Sequence, residues 1–122
     1  MLTGPAEADV GARLEAEVPA AAHHVGQRGL REFAALLDAA HQGGAILVGG
    51  DSGPAHVAAS VGLPVHLIAG PEDPSRTGPW PPRGGSNVVV EDPSPLQPWT
   101  RRSVEDVSVD DVLRSITRRA PR

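Results

Sequence analysis

The chain has 122 residues, a formal net charge of −4, 39% hydrophobic residues and only 2% aromatic ones, which allows one small domain with a core built from Ala, Val, Leu and Ile. No apolar run approaches the about 20 residues needed to cross a bilayer, and no basic start leads into an apolar signal core, so a soluble cytoplasmic protein is the default expectation. The absence of cysteine excludes disulfides and thiolate metal sites, and the acidic balance without a basic aromatic patch argues against nucleic acid or an anionic membrane surface as partner.

In chain order, Met1 to Pro5 reads as the end of a strand and a turn, with Pro5 placed to open a helix. Val10, Leu14 and Val18 then recur at four-residue spacing, the apolar stripe of a short helix that Pro19 ends. A full strand should precede such a helix in an alternating α/β unit, so the chain is expected to be truncated at its N-terminus, within an element. Ala21 to Gly26 reads as a brief strand carrying His23 and His24. Leu30, Phe33, Ala34 and Leu37 give the next helix, Leu30 to His41, one apolar face, and Gly43-Gly44 stops it.

The stretch AILVGGDSGPAHVAASVGLPVHLIAG, Ala45 to Gly70, reads as strand, glycine-rich turn, short helix and strand. Ala45 to Val48 and Val65 to Ile68 are the apolar runs of two buried strands. Between them Pro54 suits the first helical position and Gly62 the stop. Two strands joined through a helix form a crossover in a parallel sheet, and the first turn then opens at the sheet's carboxyl edge, where α/β sheets bind ligands. Glycines there let backbone approach a ligand, and a helix start offers unpaired N–H groups backed by its dipole. An anion, foremost a phosphate, is the guest such a turn suits. The competing reading is that Asp51 and Ser52 are ordinary helix caps and nothing more.

Pro71 to Gly85 carries five prolines and three glycines and is expected to be irregular. Asn87 to Val90 reads as a last strand and Glu91 to Gln97 as a proline-broken connection. In the final helix Ser108 and Asp111 form a capping box, and Val109, Val112, Leu113 and Ile116 make the face expected to be buried. The alternation of helix and strand gives an α/β fold with a parallel sheet and flanking helices.

The segment Asp51-Ser52-Gly53-Pro54-x-His56-x-Ala58-Ala59-x-x-Gly62-x-Pro64, followed by Gly70-Pro71-x-Asp73-Pro74-x-Arg76-x-Gly78-Pro79, resembles the signature of the family 9 glycosyltransferases, the ADP-heptose:lipopolysaccharide heptosyltransferases and their relatives. A weaker likeness runs from about Leu2 to Ile116. Glu72 departs from the pattern, since relatives typically carry Thr at that place. The resemblance implies a Rossmann-like, C-terminal domain of the two-domain GT-B arrangement, spanning 1–122, with the acceptor-binding N-terminal domain absent.

What the resemblance implies for function is transfer of heptose or a similar sugar from a nucleoside diphosphate to a lipopolysaccharide or other glycan, by direct displacement at the anomeric carbon. The carboxylate that activates the acceptor belongs to the other domain in this family, so no catalytic residue is expected here and the isolated chain is expected to bind donor only. The residues matching the family's diphosphate site are Asp51, Ser52, Gly53, Pro54, Ala55 and His56. Ser52, Gly53 and Ala55 would offer N–H groups to phosphate, Pro54 would shape the turn, and Asp51 would cap the helix and hold a Mg²⁺ or a sugar hydroxyl.

His56 would donate to the diphosphate or serve as its counter-charge, against the alternative of a core histidine bonded to backbone. Weaker candidates are Arg76, for a phosphate, and Glu7 or Asp9, which sit near the family's ribose-binding acid but also read as ordinary first-turn acids. Thr77, Gly78, Pro79 and Trp80 read as loop shape, with stacking on a base or sugar the alternative for Trp80. No tightly bound cofactor is expected, and the histidines lack metal-ligand spacing. A gene remnant, an assembly module, or another nucleotide-sugar enzyme such as an epimerase are the alternative readings.

Overall fold

The computed structural model describes residues 2–19, 29–79, 87–90 and 103–118, and the chain divides into two compact units, Met1–Phe33 and Ala34–Arg122. In the first, a 3₁₀ turn, Pro5–Glu7, leads into α1, Ala8–Glu17. Gly4 N–H donates to Glu7 Oε2 at 2.9 Å while Glu7 N–H donates to Gly4 O at 3.0 Å, so this carboxylate closes the helix entry. The apolar stripe of α1 is largely uncovered: Val10 and Val18 are about half exposed and only Leu14 is half-buried. Periodicity marks an amphipathic helix but does not supply the element that covers it. The strand read at Ala21 to Gly26, with His23 and His24, lies outside the described residues.

Helix α2, Leu30–Gln42, ends in a Schellman motif in which Ala45 N–H donates to Ala40 O and Gly44 N–H to His41 O, both at 2.9 Å. Gly44 has φ +76°, a left-handed conformation that glycine adopts without a Cβ clash. Because Ala45 is still tied to the helix end, strand β1 starts later than the apolar run suggests and spans Leu47–Gly50. Helix α3, Gly53–Ser60, stops by the same device: Leu63 N–H donates to Ala58 O, Gly62 N–H to Ala59 O, and Gly62 has φ +88°. Leu63 is then fully buried and leads into β2, Val65–Ile68, within the limits expected for it.

Strand β3, Val88–Val90, completes a parallel sheet of order β1-β2-β3. The ladder sets Leu47 beside Val65 and Gly50 beside Ile68, and it continues with His66 beside Val88 and Ile68 beside Val90. Asn87 anchors the start of β2 by accepting from Val65 N–H at 3.1 Å. Among the described residues no helix is long and apolar enough to cross a membrane.

Pro71 to Gly85 is not wholly irregular. Asp73 accepts from Ser75 N–H at 2.9 Å and caps a four-residue helix, α4, Pro74–Thr77, with proline at its start where a missing N–H loses nothing. A second 3₁₀ turn, Val104–Asp106, lies over Gly70, where a Cβ would come within 3.1 Å of Val104 Cγ1. It precedes α5, Val109–Thr117, whose capping box is present as expected.

Alternation along β2 gives the two faces their covers. His66 is fully buried, and its Nδ1 meets Ser115 Oγ of α5 at 2.9 Å. Ser115 Oγ itself donates to Val112 O at 2.7 Å, so it accepts from the imidazole, and His66 carries a proton on Nδ1. Val65 and Leu67, pointing to the opposite face, are buried on the side of α3, which contributes Ala55, Ala58 and Ala59. Small residues let this helix lie close to the strands.

The His66 to Ser115 bond also corrects the expected face of α5. Val112, Ser115 and Ile116 are partly buried, whereas Val109 and Leu113 are 74% and 52% exposed. Setting Ser115 over the sheet turns Leu113 aside, and Val109 in the first turn stays uncovered.

Ser115→Ala leaves the buried Nδ1–H of His66 without its acceptor and is expected to destabilise the fold by about 1–3 kcal/mol in chemical denaturation. Hydrogen bonding from Ser108 and then Arg114 holds the Asp111 carboxyl below the ordinary carboxylate range. A depressed folded value means that this contribution is full above the unfolded value and is lost as pH falls through the folded one. The protection of α5 amides against exchange, relative to their intrinsic rates, should therefore fall in that acid window, and Asp111→Asn should abolish the acid-dependent step.

Candidate functional site

The parallel ladder brings two loops to one edge. Gly50 and Ile68 are register partners, so the turn that follows β1 and the segment that follows β2 both leave the sheet at its carboxyl end. In the first loop Ser52 is the residue that caps α3, with extended backbone at φ −155° and ψ 164°, but its side chain makes no capping bond. Its hydroxyl turns back to Gly50 O at 3.3 Å.

Four N–H groups at a helix start need partners outside the helix. Here Pro54 has none, and Ala55 N–H, expected to face a ligand, instead donates to Ser52 O at 3.0 Å. His56 N–H also turns to Ser52 O, at 3.3 Å. The N–H groups of Ser52 and Gly53 take no acceptor among the described residues. They lie at the positive end of the helix, with Ser52, Gly53, Pro54 and His56 exposed and Ala55 buried beneath them. A Cβ built on Gly49, Gly50 or Gly53 would meet nothing within 4 Å. These three glycines are therefore not demanded by packing inside the chain, and the space above them is open.

Asp51 does not cap the helix. Its Oδ1 lies 3.1 Å from His56 Nε2, and its Oδ2 accepts from Thr77 Oγ1 at 2.9 Å. The imidazole is accordingly not a core histidine bonded to backbone: its side chain is 46% exposed, and the pair becomes an ion pair when the ring is protonated. Thr77, read from sequence as loop shape, joins the second loop to the first. The signal that would have drawn attention to it is Asp73-Pro74, a cap followed by a first-turn proline, which marks a short helix ending on Thr77.

Around it, Ser75, through its hydroxyl and then its N–H, holds the Asp73 carboxyl below the ordinary range, with a smaller contribution from the charge of Arg76. Arg76 is exposed on α4, on the loop that Thr77 ties to Asp51, and Glu72 is exposed beside it. Glu7 and Asp9 belong to the other unit; Glu7 has the local capping bond described above and Asp9 is exposed in the first turn of α1. Trp80 lies outside the described residues. No group of three or more His, Asp or Glu that suits a metal ion is gathered among the described residues, and both oxygens of Asp51 already hold hydrogen bonds.

Comparison with known proteins places one family on this chain: the family described as Glycosyltransferase family 9 (heptosyltransferase) matches residues 1–102. No curated protein and no solved structure matches significantly. The matched span contains β1, α3, β2 and α4, and thus all the loop residues just described.

Gly78 follows Thr77, and a Cβ there would overlap the carbonyl oxygen of Pro74, with the carbonyl carbon at 3.2 Å. Because the obstacle is backbone, Gly78→Ala is expected to distort α4 and break the Thr77 to Asp51 bond. Backbone amide shifts of Ser75 to Thr77 and of Asp51 should move together in that variant, with β2 unaffected.

Proposed function

The chain belongs to glycosyltransferase family 9, and on that premise we propose that it binds the diphosphate of a nucleotide-sugar donor at the Asp51 to His56 turn. The observation that carries the reading is the pair of unengaged N–H groups, Ser52 and Gly53, at the positive end of α3 under open space. Backbone donors in that position favour a phosphate oxygen without any side chain having to deliver charge. Pro54 fixes the turn, Ala55 buries the helix start, and His56, with its ring exposed, adds a donor to the leaving diphosphate when protonated. Arg76 is the weaker second contact.

In this reading the donor is ADP-heptose or a close analogue, the acceptor a lipopolysaccharide or other glycan, and the setting cytoplasmic. The role is that of the donor-binding half of a two-domain GT-B enzyme. Displacement at the anomeric carbon needs a carboxylate to take the acceptor proton, and the reading assigns that group to a second domain. The 122-residue chain by itself is therefore expected to bind donor without transferring it.

Calorimetry with ADP, an ADP-sugar and other nucleotide-sugars tests the proposal. Selective binding of one nucleoside diphosphate family is the expected result; the absence of binding to all of them would overturn it in favour of a remnant or an assembly module. Gly53→Ala sharpens the test. Its Cβ meets no protein atom, so stability should stay within about 0.5 kcal/mol of the parent, while affinity for ADP should fall about tenfold or more as the methyl group enters the space over the donors.

A further inference from the structure

We propose that Thr77 is a positioning residue for the site, acting through Asp51 on His56. The Thr77 hydroxyl has one proton and two acceptors in reach, Asp51 Oδ2 at 2.9 Å and Asp73 O at 3.2 Å. Asp51 is the nearer, and as a carboxylate it attracts the proton more strongly than a neutral carbonyl does. With Oδ2 held, the carboxylate plane is fixed and Oδ1 stays 3.1 Å from His56 Nε2. A carboxylate only accepts, so the ring proton of neutral His56 is confined to Nε2.

The ring nitrogen presented to a ligand is then Nδ1, which has no partner among the described residues. In the neutral ring it accepts, and it donates only after the ring gains a second proton. Thr77 thereby sets which atom of His56 meets the donor and in which sense. The turn that carries Thr77 is built for it: Asp73 caps α4, and Gly78 accommodates the close approach of the Pro74 carbonyl just beyond. The bond joins residues 26 positions apart and fastens the loop after β2 to the loop after β1. A hydroxyl serving α4 alone would need only its contact with Asp73 O.

The consequence for ligand binding rests on the donor-binding reading above; the consequence for the imidazole does not. The test uses the full chain labelled with ¹⁵N in its histidine rings, with long-range ¹H–¹⁵N correlation spectra recorded where the ring is neutral, and ADP as the binding probe. In the parent His56 should show the Nε2–H tautomer. Thr77→Val, of the same shape without the hydroxyl, should give a mixture of tautomers, and Thr77→Ser should restore the parent pattern. Affinity for ADP should fall about tenfold in Thr77→Val, the loss of one hydrogen bond to a charged group, and recover in Thr77→Ser.

A Thr77→Val protein that keeps the parent's His56 tautomer, or a Thr77→Ser protein that does not regain it, overturns the proposal. Should Thr77→Val not fold, Thr77→Ala removes the same hydroxyl and is read in the same way. Failure of ADP to bind the parent strikes the donor-binding reading, while the tautomer spectra still decide the role of Thr77.

Discussion

The Asp51 carboxylate holds two separate pieces of chain at once: His56, one turn into α3, and Thr77, at the end of α4. That paired contact ties together the two loops at the sheet's carboxyl edge. It is available because the parallel ladder sets Gly50 beside Ile68, so the loops leaving β1 and β2 start as neighbours. An antiparallel pair would send them to opposite ends of the sheet. Once Asp51 is committed to these side chains it no longer caps α3, and Ser52, whose hydroxyl folds back on Gly50 O, does not cap it either. A helix entry left without its usual side-chain cap gives up about 0.5–2 kcal/mol.

Below this edge the packing is economical. The chain has almost no aromatic residues, so its core is made by close approach of small and branched side chains: Ala55, Ala58 and Ala59 against one face, Leu63, Val65, Leu67 and Ala69 around the central strand. Close approach requires abrupt helix stops, and the two Schellman turns at Gly44 and Gly62 provide them. His66 is the polar exception in the core, and its bond to Ser115 fixes how α5 is rotated on the sheet. That rotation leaves Val109 and Leu113 in solvent, a reminder that a helix docks by the contact that must be satisfied before it docks by its greasiest face.

Local signals in the sequence determined the alternation of helix and strand, the limits of β2, the stops at Gly44 and Gly62 and the capping box of α5. Each is written within a few residues, where a cap, a proline or a left-handed glycine acts on its own neighbours. The long signature around Asp51 and Asp73 also carried the family. Tertiary structure alone decided the rest. Strand β1 lies two residues later than its apolar run because the helix end claims Ala45 and the ladder with β2 enlists Gly49 and Gly50. Asp51 pairs with Thr77 across 26 positions and His66 with Ser115 across 49, distances over which no periodicity or capping rule reports. The docked face of α5 departs from its apolar spacing for the same reason: a spacing of apolar residues states what a helix is able to bury, while what it does bury depends on which element reaches it in three dimensions.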